Sequence, residues 1–257
     1  MSSLIYERLK TALSQDVPAA VATVVRGPNV GGKVLILPDE VLGTLGSPDL
    51  DARVVADART LLEAERSEIR SYELEAAVVD VFIETFPPPP MLLIFGAVHV
   101  AQPLARFGKM LGFRVIVSDA RAKLATPERF PDVDRLIVAW PDEALEELTI
   151  GPNTYIAILT HDPKFDEPAL LGALKTPARY IGAVGSRRTN ADRRERLRAA
   201  GVDEESLARV RGPIGLDIGA STPEEMAISI LAEIIACRHG RHGGPLTEAT
   251  GNIRARV

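Results

Sequence analysis

The sequence predicts an α/β protein in which a parallel sheet with helices on both faces follows a small α+β domain. Three observations carry that prediction. Four consecutive prolines, Pro87-Pro88-Pro89-Pro90, divide the chain; they lack amide donors, resist helix and strand interiors and favour a stiff extended spacer. Beyond them, short apolar runs alternate with helical segments, the pattern of parallel strands joined by crossover helices. The first of those runs ends in a glycine turn that opens a helix. The expected divisions are residues 1–86 as the α+β domain, 87–90 as the linker, 91–239 as the parallel-sheet domain and 240–257 as a flexible tail.

In the first domain, residues 4–13 read as an amphipathic helix. Ala19-Ala20-Val21-Ala22-Thr23-Val24-Val25 and Lys33-Val34-Leu35-Ile36-Leu37 read as strands around the loop Arg26-Gly27-Pro28-Asn29-Val30-Gly31-Gly32. Pro38-Asp39-Glu40 makes a turn, residues 41–45 form a further strand, and Ser47-Pro48-Asp49 caps a helix reaching about residue 65. Strands at 68–74 and 76–84 complete the domain. Downstream, strands are expected at 91–95, 113–118, 135–138, 155–159 and 180–183.

Composition narrows the function classes. With 46% hydrophobic and 25% charged residues in 257, a buried core is assured. The longest apolar runs fall short of the roughly 18 residues a membrane helix needs, and the first residues lack a basic region followed by an apolar stretch, so a cytoplasmic location without a membrane span is expected. A single cysteine, Cys237, excludes an internal disulfide and multi-cysteine metal sites. A net charge of −5 argues against nucleic-acid partners. Any anionic ligand must therefore meet a local basic patch.

Four clusters carry chemistry. The first is Phe95-Gly96-Ala97-Val98-His99-Val100-Ala101, after which the next strand ends at Asp119, 23 residues beyond Gly96. This is the layout of a Rossmann-like dinucleotide turn: Gly96 supplies the tight bend, Ala101 suits helix packing, and Asp119 stands where a ribose-binding acid is expected. Val98 departs from the pattern, since a second glycine there lets the backbone approach a pyrophosphate and a β-branched side chain pushes a phosphate outward. His99 either caps backbone groups or faces a ligand. The second cluster, Thr160-His161-Asp162-Pro163-Lys164-Phe165-Asp166, brings a candidate proton carrier and two acids to the same sheet edge. Asp162 and Asp166 are equally readable as a turn former and a cap.

The third cluster, Tyr180-Ile181-Gly182-Ala183-Val184-Gly185-Ser186-Arg187-Arg188, is an anion cradle, whereas the arginines after it, Arg193, Arg194, Arg196 and Arg198, read mostly as a solvated face. The fourth, Pro213-Ile214-Gly215-Leu216-Asp217-Ile218-Gly219, is a shaped glycine loop leading into Thr222-Pro223-Glu224-Glu225, a helix start with Thr222 as cap and Glu225 as capping-box partner. Cys237, His239 and His242 lie on a helix end and a glycine-rich tail without a fourth ligand, so no metal site is expected.

Together these motifs, with Arg121 after Asp119 and Glu128-Arg129-Phe130-Pro131, resemble the XdhC/CoxI family of molybdenum-hydroxylase maturation factors. The resemblance is strong over residues 91–238 and weaker in Gly31-Gly32-Lys33-Val34-Leu35 and Gly43-Thr44-Leu45-Gly46. It implies an accessory protein that binds the molybdenum cofactor, as molybdopterin or its dinucleotide, supports its sulfuration and delivers it to xanthine dehydrogenase-like or carbon monoxide dehydrogenase-like enzymes. The implied cofactor-binding residues are Gly96, Ala97, Val98, His99, Asp119, Arg121, Thr160, His161, Asp162, Gly185, Ser186, Arg187, Asp217 and Glu224. Family members usually carry glycine at the position of Val98, and some carry cysteines in the N-terminal domain that this chain lacks.

Two other readings stand beside that one: an NAD(P)-dependent oxidoreductase using His99 or His161 as acid/base, and a non-catalytic regulatory relative with weakened ligand binding. The implied partners are a client molybdenum hydroxylase and a cysteine desulfurase. A small first domain that buries little core alone points to a homodimer formed through N-terminal domains.

Overall fold

The computed structural model describes residues 2–75 and 77–250. Ala76, which opens the last expected strand of the first domain, and the final seven residues of the expected tail lie outside that description. The chain divides into two compact units, one ending at Pro88 and the other beginning at Pro89.

The first unit runs α1 (Ser2–Ser14), β1 (Ala19–Arg26), β2 (Lys33–Ile36), β3 (Val41–Thr44), α2 (Pro48–Glu63), β4 (Glu68–Leu74) and β5 (Ala77–Phe86). Its strands form an antiparallel sheet in the order β3-β2-β1-β5-β4. Side chains alternate across a strand, so β1 sends Ala20, Ala22 and Val24 toward Leu50, Val54, Ala58 and Leu61 of α2. Ala19 and Val21 pack with Ile5 and Ala12 of α1 instead. The expectation of little core is thus overturned on the α2 face, whereas α1 covers the other face over β1 and β2 and leaves Ile69 and Val78 exposed. Ser47 caps α2 by accepting from the Leu50 amide at 3.2 Å, with Pro48 in the first turn.

The second unit holds β6 (Met91–Phe95), α3 (Ala101–Met110), β7 (Arg114–Ser118), β8 (Arg135–Ile137), α4 (Pro141–Glu146), β9 (Thr154–Ile158), α5 (Pro163–Leu174), β10 (Tyr180–Ala183), α6 (Arg187–Ala199), α7 (Glu204–Ala208), β11 (Val210–Arg211) and α8 (Pro223–Arg238). The sheet order is β11-β10-β9-β6-β7-β8, every pairing parallel. Counted within the unit, this is the 3-2-1-4-5-6 order of the dinucleotide-binding Rossmann fold, and the α/β expectation is met. β11 escaped the sequence reading because two residues are too short to show a period.

Each strand serves two cores. Leu92, Ile94, Val115, Val117 and Ala157 pack with Leu104 of α3 and Ile230 and Ile234 of α8. On the opposite face, Leu93, Phe95, Ile116, Ile156 and Ile158 pack with α5, α6 and α7 through residues such as Leu170, Leu197 and Leu207. α8 starts as expected, with Thr222 Oγ1 accepting from the Glu225 amide and Glu225 accepting from the Thr222 amide at 3.0 Å. Residues 240–250 are irregular except for one 3-10 turn at Leu246–Glu248.

Candidate functional site at the carboxyl edge of the parallel sheet

The strand order reverses direction between β6 and β9, and in open α/β sheets ligands settle at that crevice, beyond the carboxyl ends of the strands. Gly96 and Thr160 meet there. Gly96 has φ +102°, and a Cβ on it would lie 2.7 Å from Thr160 Cγ2 and 3.2 Å from the Thr160 amide nitrogen, so only glycine fits. After the turn, the Ala101 amide donates to the Val98 carbonyl and the Gln102 amide to the His99 carbonyl as α3 begins. Among the described residues, none accepts from the amides of Val98, His99 or Val100. Three donors at a helix N-terminus suit an anion. The Val98 side chain, partly buried, packs against the α3/α8 core, while His99 is exposed.

Asp119, just beyond β7, is occupied by its own chain. Its Oδ2 accepts from the Ala97 amide at 2.8 Å and Arg121 Nη2 at 2.7 Å, and its Oδ1 accepts from the Arg121 amide at 2.9 Å and Arg121 Nε at 2.8 Å. Burial alone raises the pKa of this carboxyl, but the bonds from the Arg121 side chain, the Arg121 amide and the Ala97 amide outweigh it and hold the carboxyl below its ordinary range. Those bonds to Asp119 in turn raise Arg121. The guanidinium, half-exposed, also lies 5.4 Å from the centre of the Phe165 ring, which Lys164 approaches at 4.9 Å and Trp140 stacks on at 4.8 Å.

Thr160 does not face solvent: its hydroxyl donates to Asp166 Oδ1. Asp166 Oδ2 accepts from Arg193 Nη2 at 2.7 Å, and both side chains are almost wholly buried. Arg193 also donates to the Val184 carbonyl at 3.0 Å and to Asn190 Oδ1, whose amide nitrogen donates to the carbonyls of Gly185 and Ser186. One buried network therefore ties the loop after β9 to the turn after β10. Arg193 corrects the solvated-face reading of its helix. Asn190, Arg193 and Leu197 share one helical face at i, i+3 and i+7; that spacing, anchored by the lone leucine, is the signal that identifies it. Asp166 is a network member rather than a simple cap.

The other expected residues take plainer places. Asp162 caps α5, accepting from the Lys164 amide at 3.1 Å, and its carboxylate lies 3.3 Å from Lys164 Nζ. Ser186 caps α6 by accepting from the Thr189 amide. His161 and Arg187 are exposed at the same edge. Asp217 lines a separate hollow of about 210 Å³ with Ile214, Leu216, Met226, Ser229 and Ile230, while Glu224 is exposed on the first turn of α8. The loop carrying Asp217 is pinned by Ser229, which donates to the Leu216 carbonyl at 2.6 Å, and by Glu233, which accepts from the Gly215 amide and the Tyr180 hydroxyl. Burial, then the neighbouring Glu233 charge, pushes Tyr180 far above its ordinary range, so it stays a donor.

Comparison with known proteins follows this architecture. The model of the XdhC Rossmann domain matches residues 92–234, and that of the XdhC and CoxI family matches residues 12–73. The uncharacterized protein YqeB of Escherichia coli is 31% identical over 90% of this chain and 45% of its own length. A protein of Bacillus subtilis named as a probable xanthine dehydrogenase subunit is 36% identical over 62% of this chain and 46% of its own. The molybdenum cofactor insertion chaperone PaoD of Escherichia coli is 33% identical over 60% of this chain and 42% of its own. The chain thus spans less than half the length of these curated relatives. A crystal structure from Bacillus halodurans, described as a xanthine dehydrogenase, shares the fold with a TM-score of 0.54 at 21% identity, covering 96% of this chain and 98% of that one. No helix of the described residues is long and apolar enough to cross a membrane.

Proposed function

Because the chain belongs to the XdhC/CoxI family, we propose that it is a maturation factor that holds the molybdenum cofactor and passes it to a molybdenum hydroxylase. The observation that carries this reading is the anion-ready crevice at the β6/β9 switch point, where the amides of Val98, His99 and Val100 are free to receive a phosphate of the pterin cofactor. The residues present fit such a group: Arg121, Lys164 and Arg187 line the same edge with exposed cationic ends. When bound, the cofactor supplies the oxygen-transfer and redox chemistry of the client enzyme. This chain binds the phosphate end, shields it and releases it.

The relative PaoD, named as an insertion chaperone, supports this role, as does the relative named as a xanthine dehydrogenase subunit. The client is then a xanthine dehydrogenase-like or carbon monoxide dehydrogenase-like enzyme in the cytoplasm, with a cysteine desulfurase supplying sulfur and the chain acting as a homodimer. Titrating purified protein with molybdopterin, and assaying client activity after gene deletion and complementation, tests the reading. Saturable binding and restored client activity are expected. Absence of binding together with unchanged client activity on deletion overturns it, and saturable NAD(P)H binding without molybdopterin binding turns the assignment to the oxidoreductase.

A further inference from the structure

A surface helix ordinarily turns charged side chains outward along the stripe opposite its core face. α8 does not. Its core face is wide, holding Ala227, Ile230, Leu231, Ile234 and Ala236. The line left facing outward runs Glu224, Ile228, Ala232, Ile235 and His239, with steps of four, four, three and four residues that keep it on one side of the helix. Ile228 is 51% exposed, Ile235 is 37% exposed, and the half-buried Ala232 lies between them. Single exposed apolar side chains are ordinary on a protein surface, but an uncharged run across about two helical turns, closed by an acid at one end and an imidazole at the other, is a patterned face.

We propose that this line is the contact through which two copies of the chain associate, α8 packing antiparallel on α8 of a second copy about a two-fold axis beside Ala232. The pattern is self-complementary, as such an axis requires: where one residue meets another, the second must meet the first. A single register satisfies every position. It sets Ile228 opposite Ile235 of the second copy and Glu224 opposite His239, and each of these contacts occurs twice. At the axis Ala232 is small enough to let the two helices approach closely, and antiparallel packing brings each positive helix end beside a negative one. An unrelated partner has no reason to match this internal symmetry. The inference deepens the homodimer reading and rests on it, placing the contact on the parallel-sheet unit instead of the N-terminal one. A crossing of two four-turn helices covers less than a standard interface, so a reversible dimer with a dissociation constant of about 1–50 µM is expected.

Sedimentation equilibrium of the full chain from about 1 to 200 µM tests this, with Ile228→Glu, Ile235→Lys, the double variant and, as a control on the first unit, Ile69→Glu. Each single substitution in α8 enters the interface twice and should weaken association by about 30-fold or more. The double variant sets acid opposite base at both crossings and should associate about tenfold more tightly than either single one. Ile69→Glu should associate as wild type does. All four positions face solvent in one copy, so the circular dichroism spectrum should stay that of wild type; if Ile228→Glu fails to fold, Ile235→Lys supplies the same test. A dimer that survives Ile228→Glu and Ile235→Lys, or one that only Ile69→Glu dissociates, overturns the α8 contact and leaves the homodimer reading standing. A double variant no tighter than the single ones overturns the antiparallel register and the proposal with it. A monomer at every concentration overturns both the contact and the homodimer reading, and loss of client activation by Ile228→Glu in that monomer would assign the face to the client enzyme instead.

Discussion

Two acid–arginine pairs sit at the carboxyl edge of the parallel sheet, and they differ in nearly every physical respect. Asp119 and Arg121 are two residues apart, and the arginine is 43% exposed. Asp166 and Arg193 are separated by a helix, a strand and a turn, and their side chains are 3% and 1% exposed. In the first pair the arginine reaches solvent while the acid, 2% exposed, is held by the Ala97 and Arg121 amides as well. The second is a tie between two loops that has no such freedom. A desolvated ion pair thus ties two loops behind the crevice, while charged groups at its mouth stay accessible to solvent.

Arg193→Ala breaks the comparison at its strongest point. It strands Asp166 as an uncompensated buried charge and releases Asn190 from one of its bonds, so a loss of about 3–5 kcal/mol is expected by denaturant unfolding. Asp166→Asn with Arg193→Met, which removes both charges, should recover much of that loss while loosening the Thr160 and Gly185 loops; greater damage from the double variant than from Arg193→Ala would show that the pair is not acting as a unit. Gly96→Ala comes next. Its Cβ would press on Thr160 at a backbone angle alanine resists, and about 1–3 kcal/mol of destabilisation with loss of ligand binding is expected. Wild-type stability and affinity in that variant would mean that the two loops do not meet as described.

The exposed pair predicts smaller, condition-dependent effects. Arg121→Ala should cost about 1 kcal/mol, less at high salt, whereas salt should leave the Arg193 effect nearly unchanged. Because the Asp119 carboxyl is held below its ordinary value of 3.8, its contribution is complete above that pH. It is lost as pH falls below 3.8 through the lowered value in the folded state. The stability difference between wild type and Asp119→Asn, followed by thermal melts, should therefore be flat from about pH 7 to 5 and shrink toward about pH 3. A difference that grows on acidification would contradict the lowered carboxyl.

The parallel sheet was legible because β6, β7, β9 and β10 are runs of four or five mostly apolar residues between helical segments, and Gly96 was legible because its turn falls where a strand becomes a helix. What stayed hidden depends on tertiary neighbours. Arg193 sits among seven other charged residues on α6, and nothing in that composition marks one arginine as buried except its spacing from Leu197. Ser118 looks like an ordinary strand end until the Phe165 side of β7 closes over it. Trp140 and Phe165 are 25 residues apart and meet only because α4 and α5 both begin near the same sheet edge. Asp119 was legible as an acid in the right place, but its saturation by Arg121 follows from the local path of the chain after β7.

Val98 gives the smallest and most discriminating test. As a sequence feature it is the departure that ought to push a phosphate away from the turn. In the fold its side chain packs against the α3/α8 core, while its amide remains available at the start of the helix. If the side chain serves the core, Val98→Gly should lose about 1 kcal/mol through lost apolar contact and added backbone freedom. Its molybdopterin affinity should stay within about threefold of wild type, since the donors are backbone groups that the substitution leaves in place. A gain of about 100-fold would instead mean that valine obstructs the phosphate, placing recognition at the mouth of the crevice under the control of one apolar side chain.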